Sequence, residues 1–252
     1  MPEPDLAGLQ RLMQAQLRAI AFENFDVLAG RPISREPQAL FDKLLAQGRG
    51  GYCFELNGLL ALALEAAGFA VTRRIGRVCY GRPGPGPQSH KLISVALVGC
   101  DWLVDAGFGG PGLLAPLPCA PHATADQDGA RVRLLPLADG DLLLQRLIDG
   151  AWVDIFQILR QPPQDIDYDV ANHFCATYPR SPFRQRVLAQ LHVADGTWEA
   201  DGAGLVLRDA QRQALRRVDW DGPDAVQASC AELLRLDLPP AVAQAVWDRL
   251  PP

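Results

Sequence analysis

The N-terminal part of the chain places apolar residues at the spacing of amphipathic helices. Over residues 6–19 they recur every three or four positions, which puts them on one helix face. Residues 37–48 repeat this pattern, with a proline in the first turn and a glycine at the end, as is typical of helix starts and stops. A third helix is predicted over residues 53–67. Residues 1–69 are therefore expected to be all-helical.

Beyond these helices the apolar positions alternate with a period of two. The segments TRRIGRVCYG (72–81), HKLISVALVG (90–99) and DWLVDAGFG (101–109) alternate as half-buried strands do. Residues 131–159 add strands that the sequences ADGD and IDGA divide as hairpin turns. Segments rich in Gly and Pro separate these runs and are predicted loops. Residues 70–165 are therefore expected to form an antiparallel sheet or barrel.

The last part of the chain mixes helical and strand patterns. A helix is predicted near residues 168–176, and residues 202–219 favour two strands joined by a turn. The segment DGPDAVQASCAELLRLDL opens with an aspartate and a proline, which indicates a helix start, and residues 239–250 predict another helix. Residues 166–252 are thus expected to contain both helices and strands.

Composition and charge exclude several classes of partner. The chain has 252 residues, of which 48% are hydrophobic and 21% charged, as in ordinary globular proteins. The formal net charge of -5 argues against a nucleic-acid partner. The longest apolar stretch, residues 56–71, contains Glu65 and two glycines, so it indicates a buried helix and no membrane partner is expected. The first residues lack the pattern of a signal peptide, and the cytoplasm is the expected location.

Cysteine and histidine residues are scattered along the chain. None of the six cysteines forms a C-x-x-C pair or groups with a histidine at zinc-finger spacing, so reduced thiols and no metal site are expected. His122 and His192 fall in polar segments and are predicted to be solvated, whereas His173 is a weak candidate to line a cavity. The glycine-rich residues 107–112 lack the Lys and Ser/Thr of a phosphate loop.

Cys53 begins the third predicted helix, in the segment GRGGYCFELN. The partial positive charge and free N–H groups of a helix N-terminus stabilise a thiolate, and Arg49 is close enough in sequence to add to this. Gly50 and Gly51 permit a sharp turn and leave room for a substrate, which favours an exposed nucleophile. Equally, free cysteine is among the most buried residue types, and Cys53 can simply fill the core. This stretch alone leaves both interpretations open.

A cysteine nucleophile needs a base and a group that orients the base. His90 opens a predicted strand, and Asp105 ends the next one, among apolar neighbours where a carboxylate requires a partner. If the turn centres on Gly99–Cys100, Asp105 pairs opposite Ser94, and His90 lies roughly 13 Å further along. A bulge, a strong curl or a late strand start is then needed to join them. Taken alone, His90 favours a structural role.

Several segments together resemble the arylamine N-acetyltransferases. RGGYCFELN (49–57), SHKLISV (89–95) and WLVDAGFGG (102–110) occur in the order typical of that family. AIAFENFDVLAGRPI (19–33) is similar to the family segment that precedes the cysteine, and ATYPRSPF (176–183) also matches. The resemblance covers most of the chain, and the cysteine motif is highly specific.

The resemblance implies an α+β fold built on a cysteine-protease-like core. It divides the chain into an N-terminal helical bundle (1–69), a central antiparallel β-barrel (70–165) and a C-terminal α/β lid (166–252). It also implies a Cys-His-Asp catalytic triad. The three matching residues are Cys53, His90 and Asp105.

The resemblance further implies two groups of binding residues and one internal ion pair. An aromatic acceptor pocket is implied at three phenylalanines, namely Phe22, Phe108 and Phe183. Coenzyme A is implied to lie near Ser89, Gly107 and Gly109. An ion pair that supports the site is implied between Glu23 and Arg49.

The implied activity is acetyl transfer from acetyl-CoA, as co-substrate, to an arylamine, hydrazine or arylhydroxylamine. The implied mechanism is ping-pong, through an acetyl-cysteine, with no resident cofactor and with a monomer or homodimer as the assembly. Three alternatives stay open at this stage: a papain-like thiol hydrolase, an amide synthase of a biosynthetic cluster, and a non-catalytic binding protein.

Overall fold

The N-terminal part folds mainly as the predicted helices. The computed structural model describes residues 2–250. The first helix starts where the Asp5 carboxylate accepts a 2.6 Å hydrogen bond from the backbone N–H of Gly8. The elements in order are α1 (Leu6–Ala19), β1 (Phe22–Glu23), α2 (Phe25–Leu28), α3 (Pro37–Phe41), a π-helical segment (Asp42–Ala46) and α4 (Cys53–Ala66).

The central part is an antiparallel sheet that curls into a nearly closed barrel, in agreement with the predicted architecture. The spatial order of its strands differs from their order in the chain and is β5-β4-β3-β2-β9-β8-β7-β6. The strands are β2 (Ala70–Val78), β3 (Gln88–Leu97), β4 (Cys100–Val104), β5 (Leu117–Pro118), β6 (Thr124–Gln127), β7 (Ala130–Pro136), β8 (Leu142–Ile148) and β9 (Ala151–Ile158).

Both predicted hairpin turns in residues 131–159 are confirmed. The ADGD turn joins β7 to β8, and the IDGA turn joins β8 to β9, where Ile148 pairs with Ala151. Asp149 and Gly150 between them have φ angles of 48° and 77°. Two successive residues with positive φ form the kind of two-residue turn that matches the twist of antiparallel strands.

The C-terminal part contains a second antiparallel sheet with helices around it. The predicted hairpin in residues 202–219 and the last two helices are confirmed. Two further strands, Ala189–Val193 and Gly196–Ala200, are absent from the predicted elements. The elements are α5 (Asp165–Thr177), α6 (Pro182–Gln185), β10 (Ala189–Val193), β11 (Gly196–Ala200), β12 (Gly204–Arg208), β13 (Ala214–Asp219), α7 (Pro223–Leu234) and α8 (Pro240–Trp247).

The expectation of an all-helical N-terminal part is wrong at β1. Phe22 pairs with Gln190 and Glu23 with Ala189, so this short strand forms one edge of the C-terminal sheet. Two residues are too few to give a period-two pattern, so the sequence offered no signal for this pairing. The division at residues 69/70 and 165/166 stays a prediction.

Helix α4 lies at the centre of the molecule. Ten of its fourteen residues are buried, and it packs against α1, α3, β2 and β3. A helix that is buried on almost every side holds its first residue in a fixed place relative to the barrel. Within residues 2–250, no helix has the length and apolar character needed to cross a membrane.

Candidate active site

Cys53 is the first residue of α4 and is only 3% exposed. The helix start is fixed by Glu55, whose carboxylate accepts a 3.0 Å hydrogen bond from the backbone N–H of Tyr52. Of the two interpretations that the sequence left open for Cys53, an exposed thiol is therefore wrong. The position in the first turn is confirmed, but the surrounding structure covers the side chain.

Close packing leaves no room for a side chain at either of the two glycines before Cys53. The expectation that these glycines form a sharp turn and leave space for a substrate is wrong. A Cβ on Gly50 would lie 2.4 Å from the carbonyl oxygen of Ala21, and a Cβ on Gly51 would lie 2.6 Å from Oε2 of Glu55. Neither glycine has a positive φ. They let the chain lie against β1, where the N–H of Glu23 donates a 2.9 Å hydrogen bond to the carbonyl of Gly51.

His90 and Asp105 meet because the β3–β4 turn differs from the expected one. Leu97 pairs with Cys100, so the turn centres on Val98 and Gly99, which have φ angles of 46° and 75°. This register brings Asp105 two positions closer to His90 than expected. The Nε2 atom of His90 lies 2.7 Å from Oδ2 of Asp105, and both side chains are buried.

One of the expected irregularities, a bulge, is present, but it lies between β2 and β3 rather than between β3 and β4. Gly76 pairs with His90 and Arg77 with Gln88, which leaves Ser89 as the extra residue of β3. Its carbonyl oxygen lies 3.6 Å from the sulfur of Cys53. Its hydroxyl donates to the carbonyl of Pro87, and Ser89 is only partly exposed.

Asp105 is fixed by Asn57, a residue that the sequence analysis did not select. Nδ2 of Asn57 donates to Oδ1 of Asp105 at 2.7 Å, and Oδ1 of Asn57 accepts from the backbone N–H of Ala106 at 3.0 Å. The N–H of Gly107 also donates to Oδ1 of Asp105, at 2.9 Å. Although burial opposes ionisation, His90 and these donors hold the pKa of Asp105 below its ordinary value.

His90 is held in an environment that favours its protonated form. Burial opposes the imidazolium, but the Asp105 carboxylate and the Cys53 sulfur raise the pKa of His90 to about 10. The ring centroid of His90 lies 5.2 Å from that of Phe108 and 4.8 Å from that of Phe156. Since Nε2 faces Asp105, Nδ1 is the ring nitrogen left for the thiol.

The sulfur of Cys53 depends on His90 for its ionisation. Burial raises the pKa of the Cys53 thiol, while the hydrogen bonds to His90 and to the backbone N–H of Lys91 oppose this rise. The expectation that Arg49 stabilises the thiolate is wrong. Its guanidinium is instead bound to Glu23 and Asp26.

A buried network of charged side chains contains the expected ion pair between Glu23 and Arg49. Nη2 of Arg49 lies 3.0 Å from Oε1 of Glu23 and 3.1 Å from Oδ1 of Asp26. Nζ of Lys43 joins Asp26, at 2.9 Å, to Glu55, at 2.7 Å. The network therefore connects β1 and α2 to the first turn of α4, which holds Cys53.

Two of the three expected acceptor-pocket phenylalanines contact each other. The ring centroids of Phe22 and Phe183 are 6.4 Å apart, and Phe183 lies edge-on to Tyr52 at 5.0 Å. Phe108 instead packs against His90 and Phe156. Phe22 and Phe183 thus pack in or against the apolar cluster that contains Cys53, whereas Phe108 lies next to His90.

An open cleft of about 440 Å³ lies between the barrel and the C-terminal sheet. Phe22 and Gly109 line it, together with Arg208 and Arg212 from the β12–β13 hairpin. A Cβ on Gly109 would lie 2.1 Å from the ring of Phe22, so this glycine is needed for the contact between loop and ring. Of the residues expected near coenzyme A, Gly109 lines the cleft, whereas Ser89 and Gly107 do not.

The exposure of the remaining histidines agrees only in part with the predictions. His122 is exposed, as predicted, and His173 is exposed on α5. His192 is half-buried, with its ring nitrogens 3.0 Å from Nε2 of Gln190 and 3.0 Å from Oγ1 of Thr197, so the expectation of a solvated side chain is wrong. Burial and nearby arginines lower the pKa of His192 to about 4.

Comparisons with known proteins agree with this geometry. A family model described as N-acetyltransferase matches residues 5–242. An arylamine N-acetyltransferase of Mycolicibacterium smegmatis is 33% identical over 243 residues, which span 94% of this chain and 87% of the relative.

Two solved structures show the same fold. The arylamine N-acetyltransferase of Salmonella typhimurium superposes with a TM-score of 0.92 at 29% identity, over 98% of this chain and 93% of that protein. The arylamine N-acetyltransferase of Mycobacterium marinum, solved in complex with CoA, gives a TM-score of 0.90 at 29% identity, over 99% and 95%. The extent of these matches shows that the chain belongs to the arylamine N-acetyltransferase family of acyltransferases.

Proposed function

We propose that this enzyme transfers the acetyl group of acetyl-CoA to the nitrogen of arylamines, arylhydrazines or arylhydroxylamines through an acetylated Cys53. The 2.7 Å contact between His90 and Asp105, next to a cysteine at a helix N-terminus, carries this proposal. The three residues form a nucleophile, a base and a group that orients the base.

In the first half-reaction, His90 accepts the proton of the Cys53 thiol. The thiolate attacks the carbonyl carbon of acetyl-CoA, and the bond between that carbon and the coenzyme sulfur breaks. The departing coenzyme thiolate takes the proton from His90. Asp105 holds the ring and stabilises its positive charge, which is consistent with the raised pKa of His90.

In the second half-reaction, the amine nitrogen attacks the acetyl carbon on Cys53. The bond from this carbon to the Cys53 sulfur breaks, and the proton from the nitrogen passes through His90 to the sulfur. Backbone N–H groups in the first turn of α4 are the donors we propose for the oxyanion in both half-reactions, since the first N–H groups of a helix lack intrahelical partners.

Both substrates are proposed to enter through the cleft that Phe22 and Gly109 line. The relative from Mycobacterium marinum was solved with CoA, which supports a coenzyme site in this fold. Arg208 and Arg212 lie at the cleft wall, where they pair with Glu199 and Asp201; we propose that coenzyme phosphates compete for these guanidinium groups. Because Cys53 is 3% exposed, we propose that the Phe22 ring, which packs in the same apolar cluster, moves when a thioester reaches the sulfur.

Phe22, Phe108 and Phe183 are proposed to hold the acceptor ring, and Glu23 with Arg49 to support the loop before Cys53. Ser89 and Gly107 are proposed to lie near the coenzyme thioester: the carbonyl of Ser89 faces the Cys53 sulfur, and a Cβ on Gly107 would lie 2.9 Å from the Cα of Cys53. We further propose that the enzyme works in the cytoplasm as a monomer or homodimer.

Intact mass spectrometry after mixing with acetyl-CoA tests the covalent intermediate. We expect one added acetyl group on the wild-type chain and none on a Cys53→Ser variant. Initial rates at varied concentrations of both substrates should give parallel double-reciprocal lines, as a ping-pong mechanism requires. The release of free acetate without acetylated amine would instead indicate a thiol hydrolase. A Cys53 that does not react with iodoacetamide would indicate a non-catalytic binding protein.

A further inference from the structure

A second cavity shares strands β8, β10 and β11 with the cleft that Phe22 and Gly109 line. It has a volume of about 220 Å³ and is formed by α1, the β10–β11 turn and side chains from the barrel. None of the residues that line it also lines the cleft that contains Phe22. The acetyl-transfer mechanism uses none of these residues, so the cavity has no role in the proposed function.

Arg146, on β8, is a buried cation that lines this cavity and is only 4% exposed. Its Nη2 donates to the carbonyl of Ala210 at 2.8 Å, and its Nη1 donates to the carbonyl of Gly112 at 3.4 Å. Its Nε is buried and has no hydrogen-bond partner among residues 2–250. A buried guanidinium with a free donor is costly unless another group satisfies it.

No carboxylate lies at ion-pair distance from this guanidinium among residues 2–250. Within the described part of the chain, Arg146 forms no ion pair with any Asp or Glu. Burial and the nearby Arg212 lower the pKa of Arg146 to about 10, although Tyr80 and the Glu199 carboxylate oppose this shift. An anionic ligand stabilises a buried cation that lacks a direct ion pair.

The other titratable groups of the cavity are a second cation, one neutral histidine and two carboxylates. Arg18, exposed on α1, lines the cavity, and so does His192, whose lowered pKa keeps it neutral at pH 7. Asp128 and Asp195 also line the cavity, and neither forms an ion pair with Arg18 or Arg146 in the structure of residues 2–250. Both arginines therefore stay available to a ligand.

We propose that this cavity binds a compact oxyanion of the phosphate class, with Arg146 and Arg18 as its cationic donors. Guanidinium groups match the oxygen spacing of phosphate, and a buried donor makes such a contact stronger than a surface one. Since a water molecule occupies about 30 Å³ in the liquid, the cavity of about 220 Å³ holds a phosphate group with several waters. Its lining residues differ from those of the cleft proposed for coenzyme A.

Isothermal titration calorimetry of the full-length protein with inorganic phosphate tests this proposal, with sodium chloride at matched ionic strength as the reference. We expect one saturable site and a melting temperature that rises with phosphate but not with chloride. Methyl phosphate serves as a second probe. Binding of both probes indicates a site open to phosphate monoesters, and binding of inorganic phosphate alone indicates a site for the free ion.

Two variants and a matched control locate the site. Arg146→Gln and Arg18→Gln should each weaken phosphate binding by about tenfold or more, as expected for the loss of a charged hydrogen bond. Arg18 is exposed, so its variant keeps the test valid even when Arg146→Gln fails to fold. Arg11→Gln removes an exposed arginine from the same helix, outside the cavity, and should leave the affinity unchanged.

The proposal is overturned by any of three results. These are the absence of saturable phosphate binding above the chloride reference, equal affinity in the wild type and in Arg18→Gln, or displacement of phosphate by coenzyme A. Because all titrations can be repeated with Cys53→Ser, a failed phosphate site and a failed acetyl-transfer mechanism give separate results.

Discussion

Asn57 donates a 2.7 Å hydrogen bond to Oδ1 of Asp105, while the other carboxylate oxygen of Asp105 lies 2.7 Å from His90. Asn57 stands one helical turn after Cys53 on α4. The helix that carries the nucleophile thus also positions the carboxylate that orients the base. This link makes Asn57 a positioning residue for the candidate triad.

Asn57→Ala should lower kcat/KM for acetyl transfer by about tenfold to a hundredfold. Removal of a buried donor to a carboxylate costs about 1–3 kcal/mol, and the same amide also binds the backbone on both sides of the site. Steady-state kinetics with a simple arylamine measures this loss. The pH profile of Cys53 alkylation should shift as well, because the His90 pKa depends on the position of Asp105.

The control for Asn57→Ala is Asn172→Ala, which removes an amide that contacts Tyr52 rather than Asp105. An unchanged alkylation profile in Asn57→Ala, together with equal kinetic losses in both variants, would mean that Asn57 acts only through general stability.

Gly50→Ala should destabilise the fold by about 1–3 kcal/mol, the usual cost of overpacking a filled interior. The new Cβ would lie 2.4 Å from the carbonyl oxygen of Ala21 and 2.6 Å from Cγ of Glu23, so β1 must shift. Urea unfolding measures the change in the free energy of unfolding. Gly84→Ala is the matched control, because a Cβ there meets nothing within 4 Å and its φ is not positive. Equal stability of the two variants would contradict the packing argument.

The sequence contained the chemistry of the site but not its geometry. Residue types and order identified Cys53, His90 and Asp105, because nucleophile, base and carboxylate are chemically distinctive. The register that joins the last two depends on a turn centred on Val98, a β-branched residue with a φ of 46°. Such residues rarely adopt positive φ, so the pattern favoured a turn one residue later, and no local signal pointed to the observed register.

Long-range packing accounts for what the sequence left out. The cover over Cys53 arises from segments distant in the chain, including β1 with its two-residue pairing to β10. The amide of Asn57 was visible in the motif, but its partner at Asp105 becomes evident only once α4 is placed against the barrel. Strong periodic patterns over eight or more residues, as in α1, β3 and β9, were by contrast predicted directly.

Phe183→Leu should raise the KM for an arylamine several-fold while leaving the acetylation of Cys53 by acetyl-CoA unchanged. The Phe183 ring contacts Phe22 and Tyr52 and supplies aromatic area for a planar acceptor, whereas it makes no contact with His90 in the described structure. Because a ping-pong mechanism separates the two half-reactions, single-turnover acetylation and steady-state KM report on different steps. Phe41→Leu, at an exposed ring, is the control. Slower acetylation in Phe183→Leu would contradict this assignment.

Glu55 should make the stability of the enzyme fall as the pH rises from about 4.5 to about 7. Burial raises the pKa of Glu55 to about 7 from an ordinary value of 4.5, although Lys43 opposes this rise. A carboxyl group with a raised pKa stabilises the fold while it is protonated, so its contribution is complete below pH 4.5 and is lost through pH 7. The linked change is at most about 3 kcal/mol.

Urea unfolding of the wild type and of Glu55→Gln across this pH range isolates the contribution of Glu55. The glutamine cannot ionise, so the stability of the wild type relative to Glu55→Gln should decrease steadily from pH 4.5 to pH 7. Glu65→Gln, which alters an exposed ion pair with Arg73, is the control and should show little change over the same range. A wild-type advantage over Glu55→Gln that grows with pH would mean that Lys43 dominates and that the pKa of Glu55 is lowered in the fold.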